Sequence, residues 1–133
     1  MKTMIFAALS FGVLLAGPAF AAGPNGAVAE CGNAKVLSTI DARFDHAFLH
    51  KNKIAIETIS KIHQHRLEDA TERSPIARRY CGGVATTSDG RERTLWYLIE
   101  GGIGLAGLGD NVEFCISGLD QMKAYDGRCR VLK

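Results

Sequence analysis

Apolar residues recur at helical spacing in the segment 34–50. Four of them fall on one stripe of a 3.6-residue period: Leu37, Ile40, Phe44 and Phe48. Asn33, a residue type favoured at helix N-caps, precedes the segment, and Lys51 and Lys53 lie where a helix C-terminus favours positive charge. The pattern predicts an amphipathic helix over 34–50 whose apolar stripe packs on a core.

The following segment, 54–67, fits neither the helical nor the strand period cleanly. It is rich in β-branched residues: Ile54, Ile56, Thr58, Ile59 and Ile62. Since β-branched side chains favour strands, we predict a strand with a bulge that absorbs the irregular spacing, and a helix remains the open alternative. A polar loop that ends at Pro75 follows.

A β-hairpin is predicted around Asp89-Gly90, the dipeptide favoured in two-residue hairpin turns. Such a turn sets Ser88 opposite Arg91 and fixes the register of both strands. Counting outwards gives these pairs: Val84–Leu95, Gly83–Trp96, Gly82–Tyr97, Tyr80–Ile99 and Arg79–Glu100. This register places two aromatic rings across from two glycines and pairs opposite charges at the far end.

The predicted register also assigns side chains to the two faces of the hairpin. One face carries Tyr80, Val84, Leu95, Tyr97 and Ile99, and the other carries Cys81, Trp96 and Leu98. We expect the helix on the first face. A further alternating strand is predicted over 111–118, and a tail over 119–133 that folds back on the sheet at Cys129. The fold class is therefore α+β, with one N-terminal amphipathic helix on a mainly antiparallel sheet of three or four strands.

The first 21 residues have the layout of a secretory signal peptide. Lys2 precedes an apolar stretch over 4–16, which is too short to span a membrane, and Gly17-Pro18 and a small-residue cleavage site follow. We expect cleavage after Ala21, which leaves 22–133 as a single domain with a loose leader over 22–32. The expected location is the periplasm or the exterior, with no transmembrane segment.

All four cysteines follow the predicted cleavage site. An even number of cysteines in an exported chain indicates disulfides, and three pairings are possible. We favour Cys31–Cys81 and Cys115–Cys129, of which the second closes a short loop. No C-x-x-C pair is present, so the spacing favours disulfides over a zinc site.

Charge gives no indication of a nucleic-acid or membrane partner. Loss of Lys2 with the signal peptide leaves 15 basic residues against 14 acidic ones, too even a balance for long-range attraction to polyanions. Arginines occur as three pairs, which we interpret as solvated surface charge: Arg78 and Arg79, Arg91 and Arg93, Arg128 and Arg130.

The glycines at Gly102, Gly104 and Gly107 spell the G-x-G-x-x-G of dinucleotide-binding turns. That motif requires a strand before the turn and a helix after it. The residues after Gly109 alternate as a strand instead, so we interpret the segment as a flexible strand connection and expect no cofactor.

The four histidines are the candidate metal ligands. His46 and His50 are four residues apart on the predicted helix, and His63 and His65 are two apart on the predicted strand, so each pair shares a face. His46 and His50 point to the side of the helix opposite its apolar stripe. The strand histidines cannot reach that outer side. We therefore favour surface histidines and assign no metal site.

No catalytic constellation is visible. The sequence lacks G-x-S-x-G, and a cysteine nucleophile would require an unpaired thiol. Glu100 and Glu113 flank the glycine segment and are the candidate acid–base pair. Because Arg79 is the predicted cross-strand partner of Glu100, we favour a structural salt bridge instead. We assign no catalytic residue.

Four stretches near the C-terminus carry a resemblance: Arg78–Cys81, Trp96–Glu100, Val112–Cys115 and Cys129-Arg130. Their order resembles a family of small exported bacterial proteins of unassigned function, over about the C-terminal half of the chain that follows the signal peptide. These are mainly core and cysteine positions, so the resemblance implies a disulfide-linked fold and transfers no activity.

These features favour a non-enzymatic binding or structural protein of the cell envelope, whose partner is another protein or an envelope component. A metal-binding protein that uses the surface histidines is the alternative, and a small hydrolase-type enzyme is third.

Overall fold

In the part of the chain that the structure describes, four antiparallel strands in chain order form one sheet. The computed structural model describes residues 28–49, 53–103, 109–120 and 124–133. The elements are α1 (Ala34–Phe44), a π-helical turn (Asp45–Leu49), β1 (Ile56–Glu68), β2 (Arg78–Thr87), β3 (Glu92–Glu100), β4 (Asn111–Ile116) and a 3₁₀ turn (Arg130–Leu132). The predicted α+β class is confirmed.

Helix α1 begins at Ala34, where the sequence predicts, but its α-helical part ends at Phe44, where the π-helical turn begins, and not at residue 50. The Asn33 side-chain oxygen accepts hydrogen bonds from the backbone N–H groups of Lys35 and Val36, at 2.9 and 3.3 Å. The buried stripe is Val36, Ile40 and Phe44, whereas Leu37 is only half-buried. The stripe thus begins one residue earlier than predicted. The side chain of Phe48, and residue 50, lie outside the described residues.

The β2–β3 hairpin is closed by a three-residue loop, so the predicted two-residue turn is wrong. The Thr87 N–H donates to the Arg91 carbonyl at 3.0 Å, and the Gly90 N–H donates to the Thr87 carbonyl at 2.8 Å. Gly90 has a φ of 75°, the left-handed conformation that ends a three-residue hairpin loop. Asp89 stabilises this loop by accepting a hydrogen bond from the Thr87 hydroxyl at 2.7 Å.

The longer loop moves the register by one residue. The observed pairs include Arg78–Glu100, Arg79–Ile99, Tyr80–Leu98, Cys81–Tyr97, Gly82–Trp96, Gly83–Leu95 and Val84–Thr94. None of the predicted pairs Val84–Leu95, Gly83–Trp96, Gly82–Tyr97, Tyr80–Ile99 and Arg79–Glu100 forms. Because strand side chains alternate between faces, this shift turns every β2 side chain to the face opposite the predicted one.

The face assignments change accordingly for β2 and hold for β3. Leu95, Tyr97 and Ile99 lie on the α1 side as predicted, together with Cys81, which was expected on the other face. Tyr80, expected beside the helix, lies with Leu98 on the opposite face. The sheet is therefore covered on both faces, by α1 on one side and by the C-terminal tail on the other.

Strand β1 is the long, bulged strand that the sequence favours for 54–67. Its pairing with β2 is irregular between Ser60 and His63 and again between Gln64 and Arg66. Lys61, inside the first irregularity, has a φ of 52°. These bulges redirect the side chains that follow them.

Each face of the sheet carries one disulfide. Cys31–Cys81 joins the segment before α1 to β2, with Cα atoms 5.8 Å apart, and Cys115–Cys129 joins β4 to the tail, with Cα atoms 5.6 Å apart. Both predicted pairings are confirmed. Leu132 is buried beside Cys129, which confirms the predicted return of the tail over the sheet.

The segment before α1 contacts the sheet from residue 28 onwards. Val28 is buried, and the Ala29 N–H donates to Asp110 Oδ2 at 2.7 Å. The described end of the predicted leader, from residue 28 onwards, is therefore packed against the rest of the domain and is not loose. The remainder of the leader and the predicted signal peptide lie outside the described residues.

The glycine-rich segment connects two antiparallel neighbours, β3 and β4, as the sequence predicts. Gly102 and Gly109 have φ values of 71° and 67°, and the Gly102 N–H donates to Asp110 Oδ1 at 3.2 Å. Gly104 and Gly107 lie outside the described residues. No helix in the described ranges has the length and apolar character needed to cross a membrane.

Candidate functional site

A group of aromatic and basic side chains lies on the face of the sheet opposite α1. Three strands and the tail contribute to it: His63, His65 and Arg66 from β1, Tyr80 from β2, Trp96 from β3, and Lys133. We name these six residues the aromatic–basic face. It includes the chain's single tryptophan, which is only half-buried.

His63 and Trp96 meet above Gly82, which lies between them in the sheet. His63 pairs with Gly82 across β1 and β2, and Gly82 pairs with Trp96 across β2 and β3. A Cβ at Gly82 would lie 2.7 Å from His63 Cε1 and Nε2 and 3.3 Å from Trp96 Cζ3. The missing side chain therefore creates the space in which the imidazole lies.

His63 is held in this position by a backbone contact. Its Nδ1 donates to the Lys61 carbonyl at 3.0 Å, and Lys61 presents that carbonyl from the left-handed conformation in the bulge. The bulge thus sets the orientation of His63.

His65 lies at the second irregularity of β1 and contacts both aromatic rings. Its centroid is 5.2 Å from that of Trp96, with the rings nearly perpendicular at 88°, and 6.1 Å from that of Tyr80. Partial burial, and then the positive charges of Arg66 and His63, lower the pKa of His65 below its usual 6.5. Its neutral form is therefore favoured at neutral pH.

Arg66 stacks on Tyr80. Its guanidinium carbon lies 3.6 Å from the centroid of the Tyr80 ring, a cation–π geometry. Its Nε lies 3.4 Å from Glu68 Oε1, in an ion pair whose two side chains are each 45% exposed. Such a pair is weak because water screens it. The contact with Tyr80 therefore restricts the guanidinium more than the ion pair does.

Lys133 completes the face from the tail. Its Nζ lies 5.7 Å from the centroid of the Trp96 ring. The buried Leu132 and the Cys115–Cys129 bridge hold this part of the tail on the sheet. The basic side chain at the end of the tail is thereby brought to the same surface as Arg66.

Of the two predicted histidine pairs, the structure describes both members of one, His63 and His65. His63 and His65 share a face as predicted, with centroids 6.5 Å apart. His46 is exposed in the π-helical turn, at the end of the helix that packs on the other face. His50 lies outside the described residues. Among the described residues, no group of three or more histidine, cysteine, aspartate or glutamate side chains is placed to hold a metal ion.

Glu100 is held by Arg78, not by Arg79 as predicted. Arg78 Nε lies 3.0 Å from Glu100 Oε1, and the Asn111 amide donates to Glu100 Oε2 at 3.2 Å. The register shift sends Arg79 to the other face, where it is buried and donates to the Val28 carbonyl and to Glu30 at 3.3 and 3.0 Å. Both arginines are structural.

One arginine from each of the other two sequence pairs, Arg93 and Arg130, also forms an ion pair within the chain. Arg93 Nη2 lies 2.7 Å from Asp89 Oδ2. The hydrogen bonds that Asp89 accepts from Arg93 and from the Thr87 hydroxyl hold the pKa of its carboxyl well below the usual range. Arg130 Nη2 lies 3.5 Å from Asp126 Oδ2. Charge on these residues is thus partly neutralised within the chain.

A hollow of about 200 Å³ lies between the start of α1 and the start of β4. Its polar lining is largely committed to the fold: Asn33 caps α1, and Asp110 accepts hydrogen bonds from the N–H groups of Ala29 and Gly102. The aromatic–basic face is therefore the stronger candidate site.

Sequence reasoning identified the histidines of this face but not Arg66, Tyr80 and Trp96 as their neighbours. The available signal was a tryptophan opposite a glycine on the adjacent strand. The predicted register pairs Trp96 with Gly83, whereas the structure pairs it with Gly82. The contact of Arg66 with Tyr80 depends on the β1 bulges, which the sequence does not locate. A comparison with known protein families, curated proteins and solved structures gives no match to this chain.

Proposed function

We propose that this chain is a non-enzymatic binding protein of an oxidising compartment and that it binds a partner through the aromatic–basic face. The compartment follows from chemistry, since paired cysteines persist outside the reducing cytosol and both cysteine pairs are bridged. The finer location is the periplasm or the exterior, reached after cleavage behind Ala21. Membership of the family of small exported bacterial proteins is part of this proposal.

One observation carries the binding role: the composition of the aromatic–basic face. Tryptophan, tyrosine and arginine are the residues most enriched at the energetic centres of protein interfaces. Trp96 is half-buried, and Arg66 lies exposed on the Tyr80 ring. Because strand contacts and the stack restrict these side chains beforehand, a partner loses little side-chain entropy on binding them.

Site-specific cross-linking tests the role in the native cell. A photo-reactive phenylalanine analogue replaces Thr94, which is exposed on the same face and strand as Trp96, or Ser38, which is exposed on α1. We expect a defined cross-linked product from position 94 only, and its loss when Trp96→Ala or His65→Ala is added. The same product from both positions, or none from position 94, would contradict the role.

N-terminal sequencing tests the location. Protein recovered from the cell envelope or the medium is expected to begin at Ala22 with all four cysteines oxidised. An intact Met1 with free thiols on protein from the cytosol contradicts export.

A further inference from the structure

We infer that the partner of the aromatic–basic face is an acidic polypeptide segment and that Arg66 is the residue that recognises its carboxylates. This inference rests on the proposed binding role and names the chemistry of the partner. It follows from the charge of the face, the state of the Arg66 side chain, and the position of β1 in the sheet.

The charge of the face is unbalanced. It carries Arg66 and Lys133, and among the described residues the acid in ion-pair contact with it is Glu68. Glu68 is itself 45% exposed, and its closest approach to Arg66 is the 3.4 Å between Oε1 and Nε. A partner therefore meets net positive charge here, although the chain as a whole is close to neutral.

Arg66 has the geometry of a carboxylate receptor. Its guanidinium carbon lies 3.6 Å from the centroid of the Tyr80 ring, and this contact restricts where its donors can point. Its two terminal nitrogens make no hydrogen bond to any residue in the described ranges that would occupy them in advance. A planar guanidinium with this edge open binds a carboxylate through two parallel hydrogen bonds, which a lysine cannot reproduce.

The position of β1 favours a polypeptide over a glycan or a lipid. β1 is the outermost strand of the sheet, so among the described residues one edge of its backbone has no neighbouring strand. Arg66, Leu67 and Glu68 pair regularly with β2, and Leu67 is 41% exposed. An extended peptide beside this stretch can satisfy the open backbone groups while its alternate side chains reach Arg66.

The experiment uses the disulfide-bonded protein and a terminally blocked hexaglutamate peptide as the probe. NMR titration follows the side-chain N–H signals of Arg66 and of Trp96, the only tryptophan. We expect both signals to shift with hexaglutamate, less so as salt is added, and neither to shift with hexalysine.

Three variants test the assignment. Arg66→Lys keeps the charge but loses the stack and the paired hydrogen bonds, and is expected to weaken hexaglutamate binding about fivefold. Glu68→Gln removes the competing carboxylate and should strengthen binding about twofold. Arg91→Lys, the same charge-conserving substitution at an exposed arginine next to the hairpin loop, should change the affinity less than twofold.

Each alternative has its own outcome. Unchanged affinity in Arg66→Lys, or no shift of the Arg66 signal, overturns the assignment of Arg66. If phosphatidylglycerol vesicles or trigalacturonate bind more tightly than hexaglutamate, the inference that the partner is a polypeptide is wrong. If position 94 yields a partner while hexaglutamate does not bind, the acidic partner is wrong and the binding role stands. If hexaglutamate binds at Arg66 but position 94 gives no product, the recognition chemistry stands and the cellular role fails.

Discussion

The imidazole of His63 occupies the space that a side chain at Gly82 would fill, with two ring atoms 2.7 Å from the position of an added Cβ. The β1–β2 register places Gly82 opposite His63, and the hairpin register places it opposite Trp96. This arrangement explains why a glycine lies in the middle of a strand, where it is otherwise unfavourable.

Alanine at Gly82 and at Gly83 should have different effects. At Gly82 the added methyl meets mainly the exposed His63 ring, which can rotate away, so we expect a stability change within about 0.5 kcal/mol. At Gly83 it meets the Ser60 carbonyl oxygen at 3.1 Å, in backbone that is held in the sheet, and we expect a loss of about 1–2 kcal/mol. Urea unfolding followed by Trp96 fluorescence measures both.

The control for this prediction is the His63→Ala background. With the imidazole absent, Gly82→Ala should become stabilising by about 0.5 kcal/mol, since alanine reduces the entropy of the unfolded chain. An equal cost of Gly82→Ala in both backgrounds would refute the contact.

Arg79 should contribute more to stability than its ion pair suggests. The side chain is 11% exposed and bonds Gln64 and the Val28 carbonyl as well as Glu30, which is 80% exposed. Arg79→Met leaves the buried Val28 carbonyl without this donor and removes the bond to Gln64, and is expected to cost about 2 kcal/mol, whereas Glu30→Gln should cost less than about 0.5 kcal/mol. Equal effects in urea unfolding would mean that the exposed ion pair dominates.

The two disulfides should contribute unequally. Loop-closure entropy assigns about 3 kcal/mol to Cys115–Cys129 and about 4 kcal/mol to Cys31–Cys81, because the second closes the longer loop. Paired Cys→Ala variants, compared by urea unfolding, measure the two values. We also expect a red-shifted Trp96 emission only in the Cys115/Cys129 variant, because that bridge holds the tail near Trp96. A red shift in the other variant alone would contradict this.

Stability should fall at alkaline pH because of Tyr97. Burial raises the pKa of Tyr97 to about 12, and its hydroxyl donates to the Cys31 carbonyl at 2.8 Å. The unfolded phenol ionises near pH 10, so stability is complete below pH 10 and is lost as the pH approaches 12; at pH 11 the loss is about 1.4 kcal/mol. Urea unfolding at pH 8 and pH 11 measures it.

Tyr97→Phe is the control for the alkaline loss. The variant should lose most of the pH dependence between 8 and 11, leaving only the contribution of Tyr125, whose pKa is also raised, first by burial. A full pH dependence in Tyr97→Phe would assign the effect to another group.

Local patterns in the sequence were sufficient to predict the elements and their order. Asn33 and the apolar period marked α1, alternation marked β3 and β4, and the cysteine count with their spacing marked the two bridges. These features depend on neighbours along the chain or on covalent chemistry, and therefore they can be read without knowing the fold.

Tertiary structure alone decided the register, and with it the candidate site. Asp-Gly is compatible with a two-residue or a three-residue loop; the contacts of Asp89 with Thr87 and Arg93 and the left-handed Gly90 favour the longer one. Since strand side chains alternate with a period of two, that single extra residue places Tyr80 on the same face as Trp96 and Cys81 on the face that carries Cys31. Loop length is set by contacts across the hairpin, which do not appear in the order of residues along the chain.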